Sequence, residues 1–195
     1  MFPIYITVVG GLLFLALVYL AVGQAAATRS RAQTAADAAA LAAALETRDR
    51  LTDEWLANFT RPAAWQDIFA GHASVPNGCW RAEDLAAAND ASVECGPYGL
   101  LGYTVVATTN HAVGDTIVPG TETKKATESA TAVVEARCSV EPSDTATDDG
   151  TDGNGADEAL PRLICDGQKI WDLKPDDLVN RPRPEDLFDV HLSDR

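Results

Sequence analysis

The chain has 195 residues, four cysteines and a formal net charge of −14. With no cluster of lysine and arginine interrupting it, that acidity excludes nucleic acid as a partner and disfavours anionic lipid headgroups, since phosphates are repelled by such a field. An apolar opening and an acidic stretch near residue 150 leave roughly 110 residues for a core, enough to fold with a margin that covalent links would widen.

Residues 1–23, MFPIYITVVGGLLFLALVYLAVG, carry no charged side chain. A helix rising about 1.5 Å per residue needs roughly 20 apolar residues to cross a hydrocarbon core of about 30 Å, so this segment predicts a transmembrane helix. A cleaved signal peptide competes, with Ala25–Ala27 resembling a cleavage site, but its apolar region should be about 7 to 15 residues long and follow a basic start. From Gln24 onward alanine, the best helix former, dominates, and neither glycine nor proline occurs before Pro62. The helix is therefore expected to continue as an extension over 24–51, making a rod of roughly 70 Å.

Along the extension Ala32, Ala36, Ala39, Ala40, Leu41, Ala43 and Leu45 fall on neighbouring turns and form a face of mostly small side chains. Two readings stay open. The face packs on the chain's own domain, or it meets a neighbouring helix. In the second case Gly10 and Gly11 allow close approach within the span, and Gln33, Ala36, Asp37 and Ala40 form the projecting interface. Gln33 and Asp37 would then satisfy one another across the helix pair.

The run from Ala26 to Ala44, with Thr28-Arg29, Gln33 and the string AADAAALAAA over Ala35–Ala44 behind an apolar span, resembles the N-terminal segment of TadE/TadG-like Flp pilus-assembly proteins. The likeness covers about fifty residues. The chain as a whole, opening FPIY and ending in a cysteine-containing, β-rich remainder, looks like the versions from high-GC Gram-positive bacteria. It departs from the family's pattern at Tyr5, which stands in place of a glutamate. The resemblance implies a pilin-like helix and a minor pilin or assembly-accessory role in a tight-adherence pilus. Its partners would be membrane lipid and other pilin-like or secretion-platform proteins, in homo- or hetero-oligomers formed through the N-terminal helix.

After the helix, 52–140 reads as an α+β domain. Pro62, Pro76-Asn77-Gly78 and Gly96-Pro97-Tyr98-Gly99 mark turns, and Glu83–Asn89 a short helix. Trp55, Phe59, Trp65, Ile68 and Phe69 are expected in the core. Gly102–Thr109 and Ala130–Cys138 are β-branched and alternating enough to be strands, joined through turns at Gly114-Asp115 and Pro119-Gly120. The segment 141–159 is acidic and glycine-rich and reads as a flexible loop. Its stretch Asp148–Gly155 lacks the spacing and terminal glutamate of a calcium loop. Within 160–195, Leu163–Cys165 and Leu187–Leu192 are expected to join the same antiparallel sheet.

Cys79, Cys95, Cys138 and Cys165 contain no C-x-x-C pair, which argues against zinc. Even number, wide spacing and position behind an export-type segment favour two disulfides; of the three pairings four cysteines allow, Cys79 with Cys95 and Cys138 with Cys165 is the expected one. The arginines Arg29 and Arg31 behind the span pull the other way, toward a cytoplasmic C-terminal part. Two cations make a small bias, so the cysteines set the expected topology: single-pass in the cell membrane, with the domain extracytoplasmic.

His72, His111 and His191 are scattered, and no local nucleophile or phosphate-binding signature occurs, so neither catalysis nor a cofactor is expected. The alternative to an assembly role is a membrane-tethered module that binds a cell-envelope ligand through its sheet.

Overall fold

The computed structural model describes residues 2–112, 123–141, 160–174 and 181–193. The expected turns at Gly114–Gly120 and the acidic segment from Pro142 to Ala159, with its Asp148–Gly155 stretch, lie outside the described residues. Helix α1 runs unbroken over Phe2–Ala57, about 84 Å at 1.5 Å per residue. It passes the expected end at Leu51 because no breaker occurs before Pro62 and because Trp55, fully buried, anchors its last turns. Ile4–Ala57 is one helix long and apolar enough to cross a membrane.

Two short helices follow, α2 at Trp65–Phe69 and α3 at Cys79–Ala88. Then come β1 (Ala91–Tyr98), β2 (Gly102–Thr109) and β3 (Thr127–Ala136). The chain continues through β4 (Cys138–Glu141), β5 (Arg162–Cys165), β6 (Lys169–Trp171), α4 (Pro184–Leu187) and β7 (Phe188–Leu192). The first, second, third and seventh strands form an antiparallel sheet in the order β1-β2-β3-β7. The architecture is α+β: a long helix laid over one face of a small antiparallel sheet, with two disulfides.

Alternation decides which sheet face meets the helix. Tyr103, Val105, Ala107, Ala130, Ala132 and Val134 point inward and are buried, while Thr104 and Thr131 pair on the outer face, Oγ1 to Oγ1 at 2.9 Å. Toward that inner face and α3, α1 presents Ala32, Ala35, Ala36, Ala39, Ala40, Ala43 and Ala44, each with no exposed surface. Methyl-sized side chains let the helix backbone sit close to the strands. Further along, Leu51 and Trp55 take over, and Trp55 meets Phe59 edge-on at 5.3 Å and Trp65 at 5.5 Å. The five expected core residues around Pro62 are all buried.

A buried polar junction fixes helix, sheet and α3 together. The Tyr103 hydroxyl lies 2.7 Å from Thr47 Oγ1 and accepts the backbone N–H of Gly78 at 3.0 Å. Changing Tyr103 to Phe keeps the ring but strands two buried polar groups. Such a loss costs about 1 to 3 kcal/mol, which urea unfolding of the detergent-solubilised chain would register as a lowered midpoint with unchanged slope.

Several elements differ from the sequence reading. Strand β1 is formed although Gly96 and Pro97 signal a turn; Pro97 is tolerated because β1 is an edge strand, where a missing N–H breaks no second ladder. The turn itself falls at Gly99, with φ +62°. Helix α3 begins at Cys79 and ends at Ala88, earlier at both ends than Glu83–Asn89. The second expected strand is divided at Arg137, whose N–H donates to Leu187 O and whose carbonyl accepts from Asp166 N. Cys138 thereby passes into β4. Leu163–Cys165 joins β4 and β6 in a separate three-stranded sheet, whereas Phe188–Leu192 extends the main one as expected.

Candidate interaction surfaces

The first half of α1 has no tertiary cover. From Ile4 to Ala27 its side chains are exposed apart from the half-buried Ala21, and large apolar groups such as Tyr19 remain 83% accessible. Thr7 Oγ1 donates to Ile4 O at 2.9 Å, so this polar group is satisfied inside the helix, as a hydrocarbon environment requires. A Cβ added at Gly10 or Gly11 would meet nothing within 4 Å. Their small size serves no contact within the chain.

Of the four interface residues expected beyond the span, two are covered and two are half-buried. Ala36 and Ala40 are fully buried under the chain's own domain, so the fold occupies the surface that a second helix would need. The sequence could not distinguish these outcomes, since a small-residue face suits either partner. Gln33 Nε2 donates to Asp37 Oδ1 at 2.6 Å within one helix, an i,i+4 pair, and both side chains are half-buried.

What the domain leaves half-open is a second stripe of α1. Ala38, Leu41, Ala42 and Leu45 line one wall and floor of a groove of about 660 Å³, and Leu85 and Ala88 of α3 line the other. Leu45 and Leu85 are 38% and 39% exposed. Arg48, Asp49, Arg81 and Asp84 rim it, already partly paired, Arg48 to Asp49 at 2.8 Å and Arg81 to Asp84 at 3.7 Å. Such a surface suits apolar contact with a polar border. The alanine-leucine periodicity of α1 carried a signal for it; the approach of α3 did not.

All four cysteines are paired, Cys79 with Cys95 and Cys138 with Cys165. The first ties α3 to the edge strand β1. The second joins directly opposed residues of β4 and β5. Beside it Asp186 accepts the Arg183 backbone N–H at 3.0 Å and a Lys169 hydrogen bond at 3.2 Å. The backbone hydrogen bond first, then Lys169 and Arg183, hold its carboxyl below the ordinary carboxylate value.

His191 lies 3.1 Å from Asp189 and His72 3.9 Å from Asp67, both in exposed surroundings. Among the described residues no group of three or more His, Cys, Asp or Glu side chains is placed to share a metal ion.

Residues 4–46 match the family model described as putative Flp pilus-assembly TadE/G-like. The matched region takes in the bare half of α1 and the alanine face beyond it, and stops short of the sheet. Comparison of the chain with curated proteins and with solved structures finds no match.

Proposed function

We propose, from the match of residues 4–46 to a Flp pilus-assembly family, that the chain is a membrane-anchored, minor pilin-like component of a Flp pilus or related secretion apparatus. It acts by helix packing and protein contacts, without catalysis. The observation that carries the reading is the division of one continuous helix. Residues 4–27 are bare, and apolar as far as Gly23, and from Thr28 the same helix is covered on one face by its own domain. A helix apolar all round and uncovered needs either lipid or other helices about it.

In this reading the anchor crosses the cell membrane once, and the domain stands on the extracytoplasmic side, where its two disulfides persist. Other pilin-like or secretion-platform proteins, or further copies of this chain, pack against the bare half, with Gly10 and Gly11 as the point of closest approach. Ala36 and Ala40, covered by the chain's own domain, are not part of it.

The test uses G10L/G11L, because the added side chains meet nothing within the chain. In cells the variant is expected to insert in the membrane and keep the domain's thermal midpoint. Co-purification of other pilus components and the yield of surface pili should fall about fivefold or more, the effect of losing ~1 kcal/mol of helix packing. Unchanged co-purification and unchanged pili would sink the assembly reading in favour of the tethered binding module.

A further inference from the structure

We propose that Arg29, Arg31, Lys124 and Lys125 form a cationic collar at the span-facing end of the domain and seat it on the phosphates of anionic lipid headgroups. The inference rests on the reading that the bare half of α1 crosses a membrane. It goes further by assigning a second, electrostatic contact to the folded domain.

Three contacts fix which end of the sheet faces the span. Near its start β3 supplies Glu128, which pairs with Arg29 of α1. Midway, Ala132 lies opposite Tyr103, whose hydroxyl meets Thr47. At the end of β3, Ala136 lies opposite Phe188, whose ring meets at 5.4 Å that of Phe69 in α2, the helix that follows the C-terminus of α1. Strand β3 therefore runs the same way as the helix, away from the span. Mutual hydrogen bonds between Thr109 and Ala126 hold the lead-in to β3, Thr109 N to Ala126 O at 3.0 Å and Ala126 N to Thr109 Oγ1 at 3.1 Å. Lys124 and Lys125 precede it on the span side.

The height matches the headgroup layer. The apolar run ends at Gly23, before Gln24, and burial begins at Thr28, a separation of about 7.5 Å along the helix. A bilayer of 40–45 Å around a core of about 30 Å leaves a polar layer of roughly 5–8 Å on each side. Side chains on a helix lean toward its N-terminus, so Arg31 leans back toward the lipid, and its long stem lets the guanidinium settle at phosphate level, while Arg29 ties the same level of the helix to Glu128.

Three of the four cations at this end are free to act. Arg31, Lys124 and Lys125 are exposed, and among the described residues none has a carboxylate within ion-pair distance. Glu128 takes up Arg29, and Asp90 lies at the same end, where its carbonyl accepts the Asn110 N–H. In a chain of net charge −14, the fold gathers cations that are about ninety residues apart in sequence onto the one face that meets the membrane. Each basic residue near an anionic surface contributes about a fivefold preference, so the three free cations, offset by the Asp90 carboxylate, leave about two net charges and favour the seated domain on the order of 30-fold.

The full chain is reconstituted in nanodiscs of phosphatidylcholine, with and without phosphatidylglycerol, each carrying a gadolinium-chelating lipid. Paramagnetic relaxation of the backbone amides of Ala126–Glu128 then reports distance to the headgroups. Expected are stronger relaxation with phosphatidylglycerol than with phosphatidylcholine alone, and its fall to the phosphatidylcholine level in the triple variant R31Q/K124Q/K125Q and in 1 M salt, where the screening length shrinks to about 3 Å. R61Q, at the far end of the domain, should change nothing. Equal relaxation in both lipids and in the triple variant, with α1 inserted, overturns the collar and leaves the spanning reading standing. A helix that fails to insert overturns both.

Discussion

Replacing Cys138 and Cys165 together by alanine is expected to lower the stability of the domain by about 3.5 kcal/mol, the chain-entropy value for a closed loop of this size. The two residues are 27 apart in sequence. The sheet they hold has strands of only four, four and three residues, and so small a sheet has little stability of its own. Its inward groups are few: Leu163 and Leu173 are buried, and Val140 and Trp171 are half-covered. Loss should therefore concentrate there. Hydrogen exchange ought to show amides of Leu163–Trp171 losing protection, while Val105 and Ala132 keep theirs until global unfolding.

The comparison with the other disulfide sharpens the test. Cys79 and Cys95 are 16 apart, for which the same relation gives about 3 kcal/mol. Nearly equal costs but different sites of damage are expected, since α3 and β1 also pack on the main core. A C138A/C165A chain with undiminished protection over Leu163–Trp171 would refute the view that the second sheet depends on its covalent link.

Changing Gly78 to alanine should cost as much as an overpacked core residue or more, above the usual ~1 to 3 kcal/mol. A Cβ there would stand 2.1 Å from the carbonyl oxygen of Ala43, 2.8 Å from its carbonyl carbon and 2.9 Å from its Cα. All three are backbone atoms inside α1, so no side chain can swing aside. The φ of −84° is ordinary, and the penalty therefore comes from contact alone. Relief requires α3 to lift off α1, which stretches the Gly78 N–H bond to Tyr103 and opens the groove over Leu41 and Leu45. Thermal unfolding of the solubilised chain measures the cost, with G96A as control because nothing lies within 4 Å of its added Cβ. Similar midpoints for the two variants would mean that α3 does not sit on the helix backbone as described.

Junctions like this one mark the boundary of what sequence patterning reveals. Gly78 reads as an ordinary turn glycine after Pro76-Asn77, and only the position of Ala43 explains why no larger residue fits. Tyr103 stands in a visible strand, yet its partners Thr47 and Gly78 come from two other elements. Edge strand β1 was hidden by Gly96 and Pro97, because turn chemistry and edge-strand tolerance use the same residues. The second sheet was hidden because a break at Arg137 depends on Leu187 and Asp166, both distant along the chain.

By itself the sequence determined the apolar opening, the uninterrupted helix behind it, the α+β character, and the two central strands, since each follows from local composition or a short period. It also carried the likeness of the first fifty or so residues to pilus-assembly proteins. Tertiary structure alone decided what the alanine face touches, because a surface of methyl groups accepts a strand or a helix equally well. It decided too that Arg29 and Arg31 share one end of the domain with Lys124 and Lys125. Charge summed along a chain is blind to folding, whereas the field at a surface depends on which residues the fold brings to it.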